Sequence, residues 1–189
     1  MAEYPAELER RHALADGRTV TLRPIRVEDQ PGEQAFFDRL CAEARRMRFM
    51  KFVHVVNERL LHAFTHLDYD SRMAFVCEAE AGGARRIVGE ARYAAIDDTK
   101  SCDFGIVIAD DWHKTGIAGL LMLALIDYAR AHGFETMESI VLRENRDMLR
   151  FVKALGFEVR PVREDPTLLL VTKRLARYAD AGSGSRNRA

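Results

Sequence analysis

A glycine-containing segment between a predicted strand and a predicted long helix carries the clearest chemical signal in this sequence. The strand covers residues 101–108, and residues 113–119 read His-Lys-Thr-Gly-Ile-Ala-Gly. Such a loop directs several backbone N–H groups and the positive end of a helix dipole at one point, where a pyrophosphate fits. Gly116 removes the Cβ that would block close approach, Ala118 keeps the first helical turn thin, and Lys114 adds a mobile positive charge. The simpler interpretation is that the glycines only permit tight packing.

Two other phosphate-binding arrangements do not fit the sequence. The Walker A pattern GxxxxGK[ST] does not occur in it. The strands before the loop are predicted to be joined as hairpins, whereas a dinucleotide-binding fold would join them through helices. A different arrangement of strands and helices must therefore position this loop.

Hydrophobic spacing predicts the elements around the loop. Helices are expected at residues 28–40, 41–50 and 57–67, with Pro31 in the first turn of one and Asn57 as the N-cap of another. Short apolar runs predict strands at residues 19–24, 73–79, 86–93 and 101–108. The turn signal Ala81-Gly-Gly and the pair Asp97-Asp98 separate the last three strands, which should form an antiparallel meander.

The helix after the loop has the strongest pattern. Apolar residues recur at helical spacing, namely Ile117, Leu120, Leu121, Ala124, Leu125 and Tyr128. A strand at residues 137–142, a helix capped by Asn145 and ended by Gly156, and strands at residues 157–163 and 168–173 complete the pattern. The fold class predicted is α+β, with a mixed, mostly antiparallel sheet flanked by helices.

Composition limits the classes of function. The chain has 189 residues with 48% hydrophobic and 31% charged residues, which predicts a globular domain. Lys plus Arg equals Asp plus Glu at 29 each, so no general attraction to nucleic acid or membrane is expected. The three separated cysteines are expected to be free, buried thiols of a cytoplasmic protein, and no metal site is expected. The predicted organisation is an N-terminal extension at residues 1–16, a domain at 17–176 and a flexible tail at 177–189.

Two motifs in order resemble the GNAT superfamily of N-acetyltransferases. The acyl-CoA loop of that superfamily reads Q/R-x-x-G-x-G/A before a helix, and this chain has His113, Gly116 and Ala118 at those positions. Its later signature is an asparagine that opens a helix ending in Leu-Gly-Phe, matched by Asn145 and residues 155–157. The resemblance implies a GNAT-like fold and acetyl-CoA as co-substrate. It also implies acetyl-CoA contacts from Ile106, Val107, Ile108, His113, Lys114, Thr115, Gly116, Ile117, Ala118, Gly119 and Asn145.

A narrower resemblance is to the acetyltransferase domain of bacterial Pat-type protein lysine acetyltransferases. It rests on segments such as 22–26 (Leu-Arg-Pro-Ile-Arg) and 68–76 (Asp-Tyr-Asp-Ser-Arg-Met-Ala-Phe-Val). Two positions depart from the wider superfamily pattern. His113 stands at the Gln/Arg position, and Val152 stands where many members have a tyrosine that acts as general acid.

Candidate bases follow from the reaction that this resemblance implies. A free lysine with a pKa near 10.4 is neutral only about 0.04% of the time at neutral pH, so a carboxylate must take its proton. Asp103 occupies the place of a glutamate in the Pat-like proteins and is preferred, directly or through a water. Glu90, an acid within an apolar strand, is second, and Glu138 is third. The oxyanion donor is expected to be a backbone N–H near residues 106–108, freed by a bulge or splay of the sheet.

Three functions remain open at this level. The first is acetylation of a protein lysine, the second is acetylation of a small amine, and the third is a non-catalytic acyl-CoA-binding module. The cluster Arg45, Arg46 and Arg48 is either a solvated face or a docking patch for an acidic protein. The acceptor, the acyl length and the oligomeric state are not determined by the sequence, and an oligomer is possible.

Overall fold

A computed structural model describes residues 3–49, 57–81, 83–97 and 99–175. Within these ranges the helices are α1 (Gln30–Arg39), α2 (Ala42–Phe49), α3 (Glu58–Thr65), α4 (Ile117–Ala131) and α5 (Arg146–Ala154). The strands are β1 (Arg10–Ala13), β2 (Thr19–Pro24), β3 (Arg72–Ala81), β4 (Ala84–Ala95), β5 (Ser101–Ile108), β6 (Thr136–Leu142), β7 (Glu158–Pro161) and β8 (Leu168–Arg174). The predicted fold class is confirmed.

The eight strands form one sheet in the order β1-β2-β3-β4-β5-β6-β8-β7. The predicted meander is present, because β3, β4 and β5 pair antiparallel in sequence order. Among the strands that the structure describes, the only parallel pair is β5 with β6, which become neighbours after the crossover through α4. This crossover places the loop before α4 at the carboxyl end of β5.

Helices cover both faces of the sheet. Gly89 on β4 lies under Ile117 and Leu121 of α4, whereas the next residue, Glu90, meets side chains of α1 and α2. Since consecutive strand residues point to opposite faces, α4 covers one face and α1 to α3 cover the other. The predicted apolar stripe of α4 is confirmed by the burial of Leu121, Leu125 and neighbouring residues. Both faces of β4 are therefore buried.

Local signals account for most helix ends. Pro31 lies in the first turn of α1, and the Asn57 side chain accepts a hydrogen bond from the Leu60 N–H at 2.9 Å, as expected of an N-cap. The residue after the α4 C-cap, Gly133, has a φ of 84°, in the left-handed region that favours glycine. These signals are short in sequence, and this explains why they are readable without the fold.

Some features differ from the expectations. Strand β1 lies within residues 1–16 and pairs with β2, although Arg-Arg-His-Ala has no apolar alternation to indicate a strand. Cys77 and Cys102 are buried free thiols, but Cys41 is exposed, since it precedes α2 at the surface. Several predicted features lie outside the described residues, namely the tail at 177–189, the end of the domain at 176, residue 50 of a predicted helix, and residues 82 and 98 of the predicted turns. Among the helices described, none is long and apolar enough to cross a bilayer.

Candidate active site

The sheet opens where β5 and β6 diverge. Their parallel pairing runs from Ser101 opposite Thr136 to Asp103 opposite Glu138 and then ends. Beyond this point β5 continues along β4, while β6 continues along β8. The gap between residues 104–108 and residues 139–142, here called the β5–β6 wedge, is the splay predicted near residues 106–108.

Two residues of β5 direct their backbone groups into the wedge. The Ala109 N–H donates to the Val88 carbonyl at 2.9 Å, so these two residues form a hydrogen-bonded pair across β4 and β5. Because such pairs alternate along an antiparallel ladder, Ile106 and Ile108 point their N–H and C=O groups away from β4. The His113 Nε2 atom lies 3.2 Å from the Ile108 carbonyl oxygen, on that same side. Val107, between them, directs its backbone toward β4.

The loop after β5 is held open by its backbone conformation. Gly116 has a φ of +94° and Lys114 a φ of +61°, both in the left-handed region. The Thr115 hydroxyl donates to the Trp112 carbonyl at 2.8 Å and closes the turn. Trp112 itself is buried, and the guanidinium of Arg18 lies 4.0 Å above its ring. Trp112 therefore packs beneath the loop and supports it.

The same loop leaves room above the first turn of α4. A Cβ built on Gly116 or Gly119 would meet nothing within 4 Å. The N–H groups of residues 117–119 have no carbonyl one turn earlier in their own helix, so they point outward with the positive helix end. His113 and Lys114 are exposed beside them. Backbone donors, open space and the nearby Lys114 ammonium fit phosphate groups.

Asn145 is the N-cap of α5, and Val152 lies within that helix. The Asn145 side-chain oxygen accepts a hydrogen bond from the Met148 N–H at 3.1 Å, so its capping role is present in the structure. Asn145 is half-buried. Val152 is fully buried in the core, at the position where the superfamily tyrosine would stand.

Asp103 lies at the point where the wedge begins. It is exposed, and Glu138 is its registered partner on β6, so both side chains lie on the same face. Partial burial raises the pKa of Asp103, while the Arg48 guanidinium and a hydrogen bond from Ser139 lower it and Glu138 raises it. The balance leaves the pKa of Asp103 above its ordinary value, which improves a carboxylate as a proton acceptor.

Glu90 has a different environment. It is fully buried on β4, and Arg92 holds both of its oxygens, at 2.5 Å from Nε and 2.6 Å from Nη2. Burial pushes the pKa of Glu90 upward, but Arg92 and Arg48 keep it below the usual value. Arg92 also donates to Glu33 of α1 at 2.8 Å. The Glu90 carboxylate is therefore engaged in ion pairs and has no exposed surface.

The arginines of α2 do not form one solvated face, as one interpretation of the sequence expected. Arg46 pairs with Glu43 at 3.0 Å and with Glu144, after β6, at 2.5 Å. Arg48 turns inward, with a side chain only 14% exposed, and lies 3.9 Å from Glu90. Helix α2 is therefore tied through Arg46 to Glu144, just after β6, and places Arg48 over Gly105 of β5.

Sequence reasoning missed Glu33, Arg48 and Arg92 as members of this site. Glu33 precedes Phe36 and Phe37 by three and four residues, so it shares their apolar stripe on α1. A charged residue on an apolar stripe is the signal that indicates a buried ion pair. In the part of the chain that the structure describes, no group of three His, Cys, Asp or Glu residues is placed to hold a metal ion.

A comparison with protein families matches residues 19–158 to the acetyltransferase (GNAT) domain. The chain is 37% identical over 158 residues to acetyltransferase PA5475 of Pseudomonas aeruginosa, covering 84% of this chain and 85% of that protein. These matches span the loop, the wedge and the helices around them.

Solved structures share the fold. The GNAT domain of Streptomyces lividans PAT matches with a TM-score of 0.82 and 23% identity, over 92% of this chain and 100% of that one. The cAMP-binding acyltransferase of Mycobacterium smegmatis matches with a TM-score of 0.61 and 22% identity, over 92% of this chain but 49% of that one. The ribosomal-protein-S18-alanine N-acetyltransferase of Escherichia coli matches with a TM-score of 0.62 and 15% identity, over 89% and 99%.

Proposed function

The chain belongs to the GNAT acetyltransferase family, and from this membership we propose that it acetylates the amine of a protein lysine with Asp103 as the general base. Acetyl-CoA-dependent acyl transfer is the activity of the family. The observation that carries the assignment of the base is the exposed carboxylate of Asp103 at the start of the β5–β6 wedge. Glu90, the second candidate, is buried and ion-paired.

The proposed chemistry assigns one task to each side of the wedge. Asp103 accepts the proton of the acceptor amine, directly or through a water, so that the nitrogen lone pair is free to attack. The N–H groups of Ile106 and Ile108 point into the wedge and are the proposed donors to a substrate carbonyl oxygen as it gains negative charge. The loop at residues 113–119 and the N-terminus of α4 hold the phosphates.

Departure of the thiolate needs no acid from the chain in this proposal. Val152 has no group that could donate a proton, and it is buried. A thiol has a pKa of about 8.5, so its anion is a far better leaving group than an alkoxide or amide. The residue that departs from the superfamily pattern is therefore compatible with turnover.

The exposure of Asp103 suits a protein acceptor, because a carboxylate at the surface can meet a lysine that projects from another protein. The narrower likeness to Pat-type enzymes supports the same acceptor, and the Escherichia coli enzyme of similar fold is named for a protein substrate.

One observation supports a small cationic amine as the second candidate. Glu138 lies beside Asp103 on the same face, so two carboxylates flank the start of the wedge. A diamine or polyamine would place one ammonium against Glu138. Its other nitrogen would lose a proton to Asp103 and attack the thioester.

The test compares acceptors in single-turnover reactions of the purified protein with acetyl-CoA. We expect CoA release to be faster with lysine-bearing proteins or peptides than with polyamines, amino acids or aminoglycosides at equal concentration. Faster reaction with a small amine would move the assignment to the second candidate. Binding of acetyl-CoA without turnover on any amine would make the chain an acyl-CoA-binding module.

A further inference from the structure

A single arginine fills the space above Gly105 on β5. A Cβ at Gly105 would lie 2.7 Å from Cζ of Arg48 and 2.9 Å from both of its terminal nitrogens. Because no real Cβ approaches a guanidinium this closely, glycine is the residue that lets Arg48 lie flat against the strand. Gly105 follows Asp103 by two positions, so Arg48 covers the same face of β5 on which Asp103 stands.

Buried charged side chains of β4 lie beneath Arg48 and fix its position. Its Nη2 lies 3.9 Å from Oε1 of Glu90, and Glu90 is in turn held by Arg92. Arg92 donates to Glu33 and to the Phe64 carbonyl, and its guanidinium lies 3.7 Å from the Phe64 ring. Helices α1, α2 and α3 and strand β4 each contribute at least one group to this cluster. The cluster therefore depends on the packing of these four elements against one another.

Arg48 is the outer member of this cluster. Burial raises the pKa of Glu33 well above its usual value, and the Glu90 carboxylate adds to the effect. Arg92 holds both oxygens of Glu90, at 2.5 and 2.6 Å, whereas Arg48 approaches Glu90 at 3.9 Å. The guanidinium of Arg48 also lies over Gly105, on the face of β5 that carries Asp103.

We propose that Arg48 is a positioning residue for acyl transfer, which supplies the fixed positive charge that holds the Asp103 carboxylate in its orientation at the start of the wedge. Arg48 then links Asp103, on the exposed side, to the buried Glu90. This inference rests on the proposed function, since it gives Arg48 its role through the base assigned there. Arg48 touches neither substrate in this proposal and acts only through Asp103.

The groups that face Asp103 come from two elements, α2 and β6. Arg48 of α2 lowers its pKa, Ser139 of β6 lowers it through a hydrogen bond, and Glu138 of β6 raises it along with burial. Glu90, Arg92 and Glu33 face Arg48 from the other side. Removing the Arg48 charge leaves burial and Glu138 opposed only by Ser139, so the pKa of Asp103 must rise.

The experiment measures the titration of Asp103 directly, in protein with ¹³C-labelled aspartate carboxyls, with Asp103→Asn to assign the signal. The variants are Arg48→Met, Arg48→Lys and Gly105→Ala, the last of which displaces the guanidinium without removing it. Arg46→Met is the matched control, because it removes a cation from the same helix two residues away. The pH profile of kcat/KM with acetyl-CoA and a lysine peptide is recorded for each protein.

We expect the titration midpoint of the Asp103 carboxyl to move to higher pH by about one pH unit in Arg48→Met and Gly105→Ala. The acid limb of the kcat/KM profile should move with it. Arg48→Lys keeps the charge and should restore most of the wild-type midpoint, and Arg46→Met should change neither quantity. An unchanged midpoint in folded Arg48→Met, or in Gly105→Ala where the first variant fails to fold, overturns the proposal. If the titration midpoint of Asp103 moves while the acid limb of the kcat/KM profile stays in place, Asp103 is not the base. That result would reject the proposed mechanism but would keep the interaction between Arg48 and Asp103.

Discussion

The two sides of the β5–β6 wedge are built in different ways. On the side of α4, the loop offers backbone N–H groups, a left-handed glycine at Gly116 and open space. On the side of α2, the groove is made of side chains, with Asp103 at its edge and Arg48, Glu90, Arg92 and Glu33 behind it. The first side depends on local conformation, whereas the second depends on four elements that are distant in the chain.

This difference determines what each side tolerates. A site formed by N–H groups keeps its donors whatever the side chains are, and this explains how His113 can stand where the superfamily has Gln or Arg. A site formed by buried ion pairs has no such tolerance, because removal of one partner leaves a charge without compensation in a medium of low polarity. Substitutions on the two sides should therefore fail in different measurements.

The largest effect is expected at the loop. Gly116→Glu places a charged side chain where the phosphates sit and forces a non-glycine residue to a φ of +94°, so acetyl-CoA binding should be abolished. Isothermal titration and a thermal shift with acetyl-CoA measure this loss, since a ligand that binds only the folded state raises the melting temperature.

The matched control is Gly83→Glu, at a glycine with a φ of +80° in the β3–β4 hairpin and with open space around its Cβ. It introduces the same strain and the same charge away from the loop, and acetyl-CoA should still bind. Equal binding by Gly116→Glu and wild type would contradict the assignment of the loop.

Glu90→Gln should produce the largest change in stability. It removes the counter-charge of Arg92 and Arg48 in a fully buried position, for which the cost is about 3–5 kcal/mol. Urea denaturation measures the difference. Glu43→Gln, which breaks an exposed ion pair with Arg46, should leave the midpoint of unfolding unchanged. A small change for Glu90→Gln would mean that the cluster does not hold α1 and α2 on the sheet.

Asp103→Asn should lower kcat about 100-fold or more while the affinity for acetyl-CoA stays the same, because the amide keeps the size but accepts no proton. A 100-fold loss corresponds to about 2.7 kcal/mol in the activation barrier. Asp103→Glu should retain or improve activity, since it restores the residue of the Pat-like proteins. Steady-state kinetics decide between the bases. An inactive but folded Glu90→Gln together with a normal Asp103→Asn would place the base on β4.

The smallest effect is expected at Asn145, the N-cap of α5. Asn145→Ala removes the hydrogen bond to the Met148 N–H and should lower the free energy of unfolding by about 1 kcal/mol. A rise in the Kd for acetyl-CoA beyond what this loss explains would add a ligand contact to the cap. An unchanged Kd would leave capping as the role of the side chain.

The sequence was sufficient to predict most of the fold, and the acetyl-CoA contacts expected of the loop before α4 stay a prediction. The apolar stripe of α4, the turn glycines and the caps at Asn57 and Asn145 act over a few residues, so their physics is visible locally. Strand β1 was not predicted, because its pairing with β2 rather than its own composition makes it a strand.

The α2 side of the β5–β6 wedge could not be predicted in the same detail. Arg48 and Gly105 are 57 positions apart, and only the placement of α2 over β5 makes the absence of a side chain at 105 a condition for the arginine. The pairing of Glu33 with Arg92 likewise requires α1 to lie on β4. Charged residues in apolar surroundings indicated that partners must exist, but the identity of a partner is a property of the tertiary structure.

The short parallel ladder between β5 and β6 has a mechanical consequence. Three registered pairs join the part of the sheet formed by β1 to β5 to the part formed by β6, β8 and β7. The contact of Phe104 with Phe157, 5.2 Å between ring centres, and the bridge from Arg46 to Glu144 cross the same line. Few backbone pairs therefore join these two parts of the sheet, and we expect a ligand bound in the β5–β6 wedge to stabilise the junction between them.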